Sequence, residues 1–247
     1  MDGKEELMSY SFSGRIRYSE MDENRSLSLY SLINYFQDCS NFHAEVSGVG
    51  LDWTEANHRA WMLASWQIFV DEYPTMGDLV EVSTWAYGFR GFIGYRNYEM
   101  KNAAGRSIAR ANSEWVFMDT EKNSPTKVPK SQAEAYGIEE SRKLTDDFGK
   151  RKIHIPENGK QMEPFRIQEY HLDTNHHVNN GQYIRFAEAY LPRGMKIGKL
   201  RAEYKKQVLL GDLLYPTVAE TENGFVVVLA REGEDPCFIG ELTERTE

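Results

Sequence analysis

Apolar and polar residues follow two rhythms along this 247-residue chain, and each rhythm marks out its own elements. From Leu29 to about Val46, apolar residues recur at Leu29, Leu32, Ile33 and Phe36. That i, i+3, i+4, i+7 spacing predicts a helix with one buried stripe, ended by Ser47-Gly48 and Gly50. Elsewhere a period of two dominates. Ser11–Glu20 alternates loosely as a strand, and Trp61–Val70 is too apolar to be exposed on both faces. Asp78–Tyr87, Phe92–Met100 and Arg106–Met118 continue the series, the last two joined by the turn-like Lys101-Asn102-Ala103-Ala104-Gly105. Val218–Glu222 and Phe225–Ala230 predict a hairpin across Asn223-Gly224, with one more strand in Pro236–Leu242.

Between Asp119 and about Lys160 the rhythm fades. Pro125, Pro129 and Pro156 fall among Lys, Glu, Ser and Asp residues, which predicts a connector with a short helix near Ser131–Ser141. After it the pattern restarts. Arg166-Ile167 matches Arg15-Ile16, Asp173-x-Asn175 matches Asp22-x-Asn24, and Ile184 matches Ile33, each pair 151 positions apart. Gly211-Asp212-Leu213 echoes Gly77-Asp78-Leu79 at a spacing of 134. Such a repeat implies two copies of one strand–turn–helix–strands unit. The expected division is a first copy in residues 1–130, a connector in 131–160 and a second copy in 161–247.

The chemistry concentrates in the second copy, in His171–Tyr190. Asp173, Asn175 and His177 are spaced i, i+2, i+4, so in an extended segment they share one face. A carboxylate, an amide and an imidazole on one spot supply an acid/base group, an orienter and a donor. Asn179 or Asn180 makes a good helix N-cap, and the first N–H groups of that helix, around Val178, Asn179 and Asn180, suit a developing oxyanion. Two other readings stand beside this one: a solvated, capped turn, or a metal site drawing on His171, Asp173, His176 and His177. Against a metal, the adjacent histidines would face opposite ways and no HExxH or CxxC pattern accompanies them. Where the second copy has His177 the first has Ser26, so chemistry is expected in the second copy alone.

Composition narrows the classes. A net charge of −9 disfavours nucleic acid as a partner, and no apolar run is long enough to span a membrane. The acidic, polar opening MDGKEELMSY does not read as a signal peptide, and Cys39 and Cys237 are too few for a disulfide framework. A reducing cytoplasm fits.

One helix followed by an antiparallel sheet that wraps it, present twice, resembles the double hotdog fold, an α+β architecture. Asp173-x-Asn175-x-His177-Val178-Asn179-Asn180, with Tyr183-Ile184 in the next helix, is similar to the signature of acyl-acyl carrier protein thioesterases. The likeness extends to Trp85, Gly88, Gly91, Gly94 and Arg96 upstream and to a Glu203-Tyr204-Lys205-Lys206 strand downstream. It implies hydrolysis of the thioester between a fatty acyl chain and the phosphopantetheine arm of acyl carrier protein. It also implies catalytic roles for the positions of Asp173, Asn175 and His177, with no cofactor and no metal. A family acidic residue falls where this chain has Gln207, and a cysteine once proposed there as nucleophile matches Val208. Val208 has no nucleophilic atom, and Gln207 can hold a water but cannot take its proton, which leaves Glu203 as a substitute base only under a shifted register. An acyl-CoA thioesterase, a hotdog dehydratase and a non-catalytic acyl-binding protein remain the alternatives.

The mechanism expected from these residues is direct attack by water. His177 accepts the proton, Asp173 orients or stabilises the imidazole, and Asn175 and Gln207 position water or thioester. An aspartyl nucleophile at Asp173 is the rival route. Leu32, Phe36, Trp61, Met62, Leu63, Trp66 and Phe69 are candidates for the acyl slot, against a role in simple core packing. Arg193, Lys196, Lys199, Arg201, Lys205 and Lys206 form a candidate dock for acidic acyl carrier protein, against a solvated strand edge. The two copies supply an intramolecular pair, so a monomer and a homodimer are both compatible.

Overall fold

In the computed structural model, which describes residues 8–246, the chain divides into two units. One is built from the chain up to Ala64 and from Glu72 to Phe148, the other from Ser65–Asp71 and from Gly149 onward.

The first unit runs β1 (Ser9–Arg15), α1 (Leu29–Val46), α2 (Leu51–Ala56), β2 (Arg59–Val70, of which residues 59–64 belong here), β3 (Leu79–Arg90), β4 (Ile93–Asn102), β5 (Ser107–Asp119), β6 (Ser124–Pro125) and α3 (Lys130–Tyr136). Helix α1 starts where Ser28 Oγ accepts from Ser31 N at 3.1 Å, and it stops at Gly48, whose φ of +72° suits glycine. Its buried stripe includes Leu29, Leu32, Ile33, Phe36, Cys39 and His43. That stripe lies against β1 and β3, with Phe36 5.3 Å from the Tyr98 ring of β4. The sheet order is β1-β3-β4-β5-β2, and the β1/β3, β3/β4 and β4/β5 pairs are antiparallel.

The second unit runs β7 (Lys160–Gln161), β8 (Phe165–Arg166), α4 (Asn180–Glu188), β9 (Ile197–Tyr204), β10 (Leu213–Thr221), β11 (Gly224–Ala230) and β12 (Phe238–Glu244). Its sheet order is β9-β12-β11-β10-β7, with β8 on β10 and residues Ser65–Phe69 of β2 paired antiparallel to β9. Helix α4 buries Tyr183, Ile184 and Ala187, and Tyr183 stacks on Phe238 of β12 at 5.3 Å. With nine residues it is half the length of α1, because Pro192 and Gly194 follow its end closely.

The connector expected in 131–160 is not a loose tether. Tyr136 packs with Val49 and Ala86 in the first unit, while Ile153 packs with Val226, Val228 and Ile239 in the second. The boundary between units falls at Phe148/Gly149, inside that stretch. Among the described residues no helix is long and apolar enough to cross a membrane.

Candidate functional site

The Asp-x-Asn loops of the two copies fold alike bond for bond. In the first, Asp22 Oδ1 accepts from the backbone of Asn24 at 2.9 Å and of Ser26 at 3.2 Å, and Asp22 N donates to Ser26 O at 2.8 Å. In the second, Asp173 Oδ1 accepts from Asn175 N at 2.8 Å and His177 N at 3.2 Å, and Asp173 N donates to His177 O at 2.8 Å. Arg25 and His176 occupy the same place with φ of 62° and 60°, a left-handed conformation rare outside glycine. Leu27 N then donates to Pro74 O, as Val178 N does to Val208 O at 3.1 Å. Asn179 Oδ1 caps α4 by accepting from Gly181 N, as Ser28 caps α1. The Gly-Asp turns agree too: Gly77 (φ +85°) donates to Ile16 O and Gly211 (φ +84°) to Ile167 O.

This geometry corrects three expectations about the loop. Residues 173–177 are a closed turn rather than an extended segment, so a shared strand face does not bring Asp173, Asn175 and His177 together. The backbone N–H groups of Val178 and Asn179 already donate to Val208 O and His171 O, which removes both from the expected oxyanion donors. For Asn180, the described contact is through its carbonyl, which accepts from Tyr204 OH at 3.0 Å. Finally, Asp173 grips the loop backbone, not the imidazole: no hydrogen bond joins its carboxylate to the His177 ring.

All four candidate catalytic residues lie in the second unit. His177 is half-buried and Asn175 exposed. Gln207 is exposed in the bend after β9, its carbonyl accepting from Arg231 Nη2 at 2.6 Å. The Val178–Val208 bond sets the main chain of the Gln207 bend against that of the His177 loop. Glu203 does not serve as a substitute base. It is 4% exposed, its Oε1 accepts from Ile153 N at 2.5 Å, and its other oxygen faces Lys205 Nζ at 3.5 Å.

His171 belongs to the support of the site. Its Nδ1 accepts from Gln168 N at 3.0 Å, its ring meets Phe186 edge-on, and burial, followed by the nearby Arg185 charge, pushes its pKa down. Among the described residues no group of three or more His, Cys, Asp and Glu is arranged to hold a metal ion.

The apolar candidates separate by burial. Leu32, Phe36 and Trp66 are fully buried and Leu63 nearly so, which makes them core. Trp61, Met62 and Phe69 are half-buried, with Trp61 against Phe117 at 4.7 Å and Lys199 Nζ over the Phe69 ring. The basic run is also not one open patch. Arg201 pairs with Glu241 at 2.6 Å, and Lys206 with Glu234 at 3.3 Å and Asp235 at 3.8 Å. Lys205 faces Glu203, so Arg201, Lys205 and Lys206 all have acidic neighbours. Arg193 is exposed and Lys196 and Lys199 are partly so.

Two residues not assigned to the site from the sequence, Asp212 and Arg231, hold the Gln207 bend. The Gly-Asp repeat pointed to Asp212, but nothing local pointed to Arg231.

With the duplicated loops in view, the comparisons are decisive. Residues 8–136 match the model of the acyl-ACP thioesterase N-terminal domain, and residues 155–238 that of the C-terminal domain. The chain belongs to the acyl-ACP thioesterase family. A palmitoyl-acyl carrier protein thioesterase of Arabidopsis thaliana is 29% identical over 229 residues, covering 83% of this chain and 54% of that protein. An oleoyl-acyl carrier protein thioesterase of the same plant is 28% identical over 205 residues, covering 76% and 56%. The chain thus spans about half the length of the curated relatives it matches. Among solved structures, an acyl-ACP thioesterase from Bacteroides thetaiotaomicron superposes with a TM-score of 0.87 at 21% identity, over 98% of this chain and 100% of that one. A 12:0-ACP thioesterase from Umbellularia californica gives 0.85 at 19% identity, over 97% and 98%. These likenesses establish the fold as the tandem hotdog arrangement of acyl-ACP thioesterases.

Proposed function

We propose that the protein hydrolyses the thioester of fatty acyl-acyl carrier protein, releasing a free fatty acid and the carrier's thiol and so ending chain elongation. The observation that carries this reading is the asymmetry between two otherwise matching loops. Both have the aspartate-closed turn and the capped helix, but only the second adds an imidazole, at the place of the buried Ser26. The first copy closes the same loop without an imidazole, which supports a chemical role for the His177 ring.

In the proposed step, His177 takes a proton from water as its oxygen attacks the thioester carbonyl carbon. The tetrahedral intermediate then collapses with cleavage of the carbon–sulfur bond, and the proton passes to the departing sulfur. Asp173 contributes by holding the turn that presents His177 and Asn175. Asn175 and the Gln207 side chain are assigned to positioning water or the thioester carbonyl. The first copy and the half-buried Trp61 and Met62 are assigned to the acyl chain, and Arg193, Lys196 and Lys199 to the acidic carrier protein. Buried, unpaired Cys39 and Cys237 support a reducing compartment such as the cytoplasm.

The test is to incubate the protein with matched acyl-acyl carrier protein and acyl-CoA and follow free thiol. Faster release from the carrier-protein substrate supports the assignment. Equal or faster release from the CoA substrate makes the protein an acyl-CoA thioesterase, and binding without release makes it an acyl-binding protein.

A further inference from the structure

The bend Lys205–Leu209 is fastened at almost every residue. Lys205 N and Lys206 N donate to Cys237 O, Val208 O accepts from Val178 N, and Leu209 N donates to Asp212 Oδ2 at 3.0 Å. Arg231, just past the end of β11, completes the set. Its Nε and Nη2 both reach Asp212 Oδ2, at 2.9 and 2.7 Å, and Nη2 also donates to Gln207 O at 2.6 Å. Its Nη1 lies 3.7 Å from Cys237 Sγ and 3.5 Å from Glu234.

The first copy holds its matching aspartate without an arginine, Arg106 pairing instead with Glu72 of the bend. Asp78, the match of Asp212, accepts from Thr75 N at 2.7 Å and Thr75 Oγ1 at 2.9 Å. The strand registers Tyr215↔Ala230 and Glu81↔Lys101 place Asn102 where the second copy has Arg231. Asn102 Oδ1 only caps its own turn, accepting from Ala104 N and Arg106 N. The place of Val208 is taken by Pro74, whose ring stiffens the chain by itself. Stiffness from proline in one copy is thus replaced by a charge-assisted clamp in the other.

We infer that Arg231, braced by Asp212, is a positioning residue for hydrolysis: it fixes the main chain of Gln207–Val208, and through the Val208–Val178 bond the attitude of the His177 loop. The inference rests on the reading that His177 and Gln207 act on the thioester. Burial pushes the Asp212 carboxyl up, but hydrogen bonds from Arg231 and Leu209 outweigh it and hold the group below its ordinary range. The clamp therefore stays charged at neutral pH.

The experiment compares Arg231→Gln, Asp212→Asn, Asp78→Asn and His177→Ala, each checked for folding by circular dichroism, in steady-state hydrolysis of acyl-acyl carrier protein. Arg231→Gln should lower kcat about 10- to 100-fold with KM within about twofold, as a small misplacement of reacting groups does. Millimolar methylguanidine should restore part of that kcat. Asp212→Asn should lower kcat in the same sense even if Arg231→Gln does not fold, while Asp78→Asn should cost thermal stability without lowering kcat. Unchanged kcat in folded Arg231→Gln or Asp212→Asn, or an equal kcat loss in Asp78→Asn, overturns the inference. Full activity in His177→Ala overturns instead the reading beneath it, whatever Arg231→Gln does.

Discussion

Asp173 Oδ1 accepts the backbone N–H of His177 at 3.2 Å, the same bond at the same length that Asp22 makes to Ser26. The aspartate's contribution to folding is therefore separable from any contribution to catalysis. Asp22→Ala should destabilise the protein by about 1–3 kcal/mol, the loss of two backbone bonds to a carboxylate, with kcat/KM unchanged. Asp173→Asn keeps an oxygen for both backbone donors, so it should retain measurable turnover where Asp173→Ala loses it. Urea unfolding and steady-state rates on the three variants check this. An Asp173→Asn protein that folds normally but is wholly inactive would favour the aspartyl nucleophile.

His171 gives a pH signature. Its pKa is lowered by burial and then by Arg185, so the folded protein favours the neutral ring. Below about pH 6.5 the unfolded chain binds the proton more readily than the folded one, so this contribution is complete above that pH and is lost as pH falls. Urea midpoints measured from pH 7.5 to 5.5 should decline, and His171→Gln should flatten that decline. An unchanged slope would remove His171 as its source.

Burial separates core from slot in the first unit. Phe36 is fully buried against Tyr98, so Phe36→Ala should cost about 3–5 kcal/mol of stability. Met62 is half-buried, and Met62→Ala should change stability much less while shifting the acyl chain length hydrolysed fastest. Thermal melts with a panel of acyl chains make the comparison. An unaltered length profile would take Met62 out of the slot.

The proposed carrier dock is tested at Arg193, which is exposed. Arg193→Glu should raise KM for the carrier-linked substrate several-fold at low salt, with the effect fading as salt screens it, and should spare a small soluble thioester. Equal effects on both substrates would end the docking assignment.

Much of the fold was legible because its signals are local. Helix α1 was bounded correctly by the stripe from Leu29 and the Gly48 stop, and the repeat was visible through Asp22/Asp173, whose bonds stay within four residues, and Gly77/Gly211, whose positive φ calls for glycine. Helix α2 was missed because six residues are too few to display a helical period. The stretch from Asp119 read only as a connector with one short helix because its buried residues, Tyr136 and Ile153, are isolated among charges and find their partners only in tertiary packing. The site was half legible. The imidazole's absence from the first copy could be read directly, but the turn that replaces an extended face requires the left-handed His176, and Arg231 reaches Gln207 across 24 positions.

The most direct test is the rate of fatty acid release from acyl-acyl carrier protein by folded His177→Ala protein. A fall of at least about 100-fold with an unchanged melting temperature is the predicted result. Release at the wild-type rate would contradict the account.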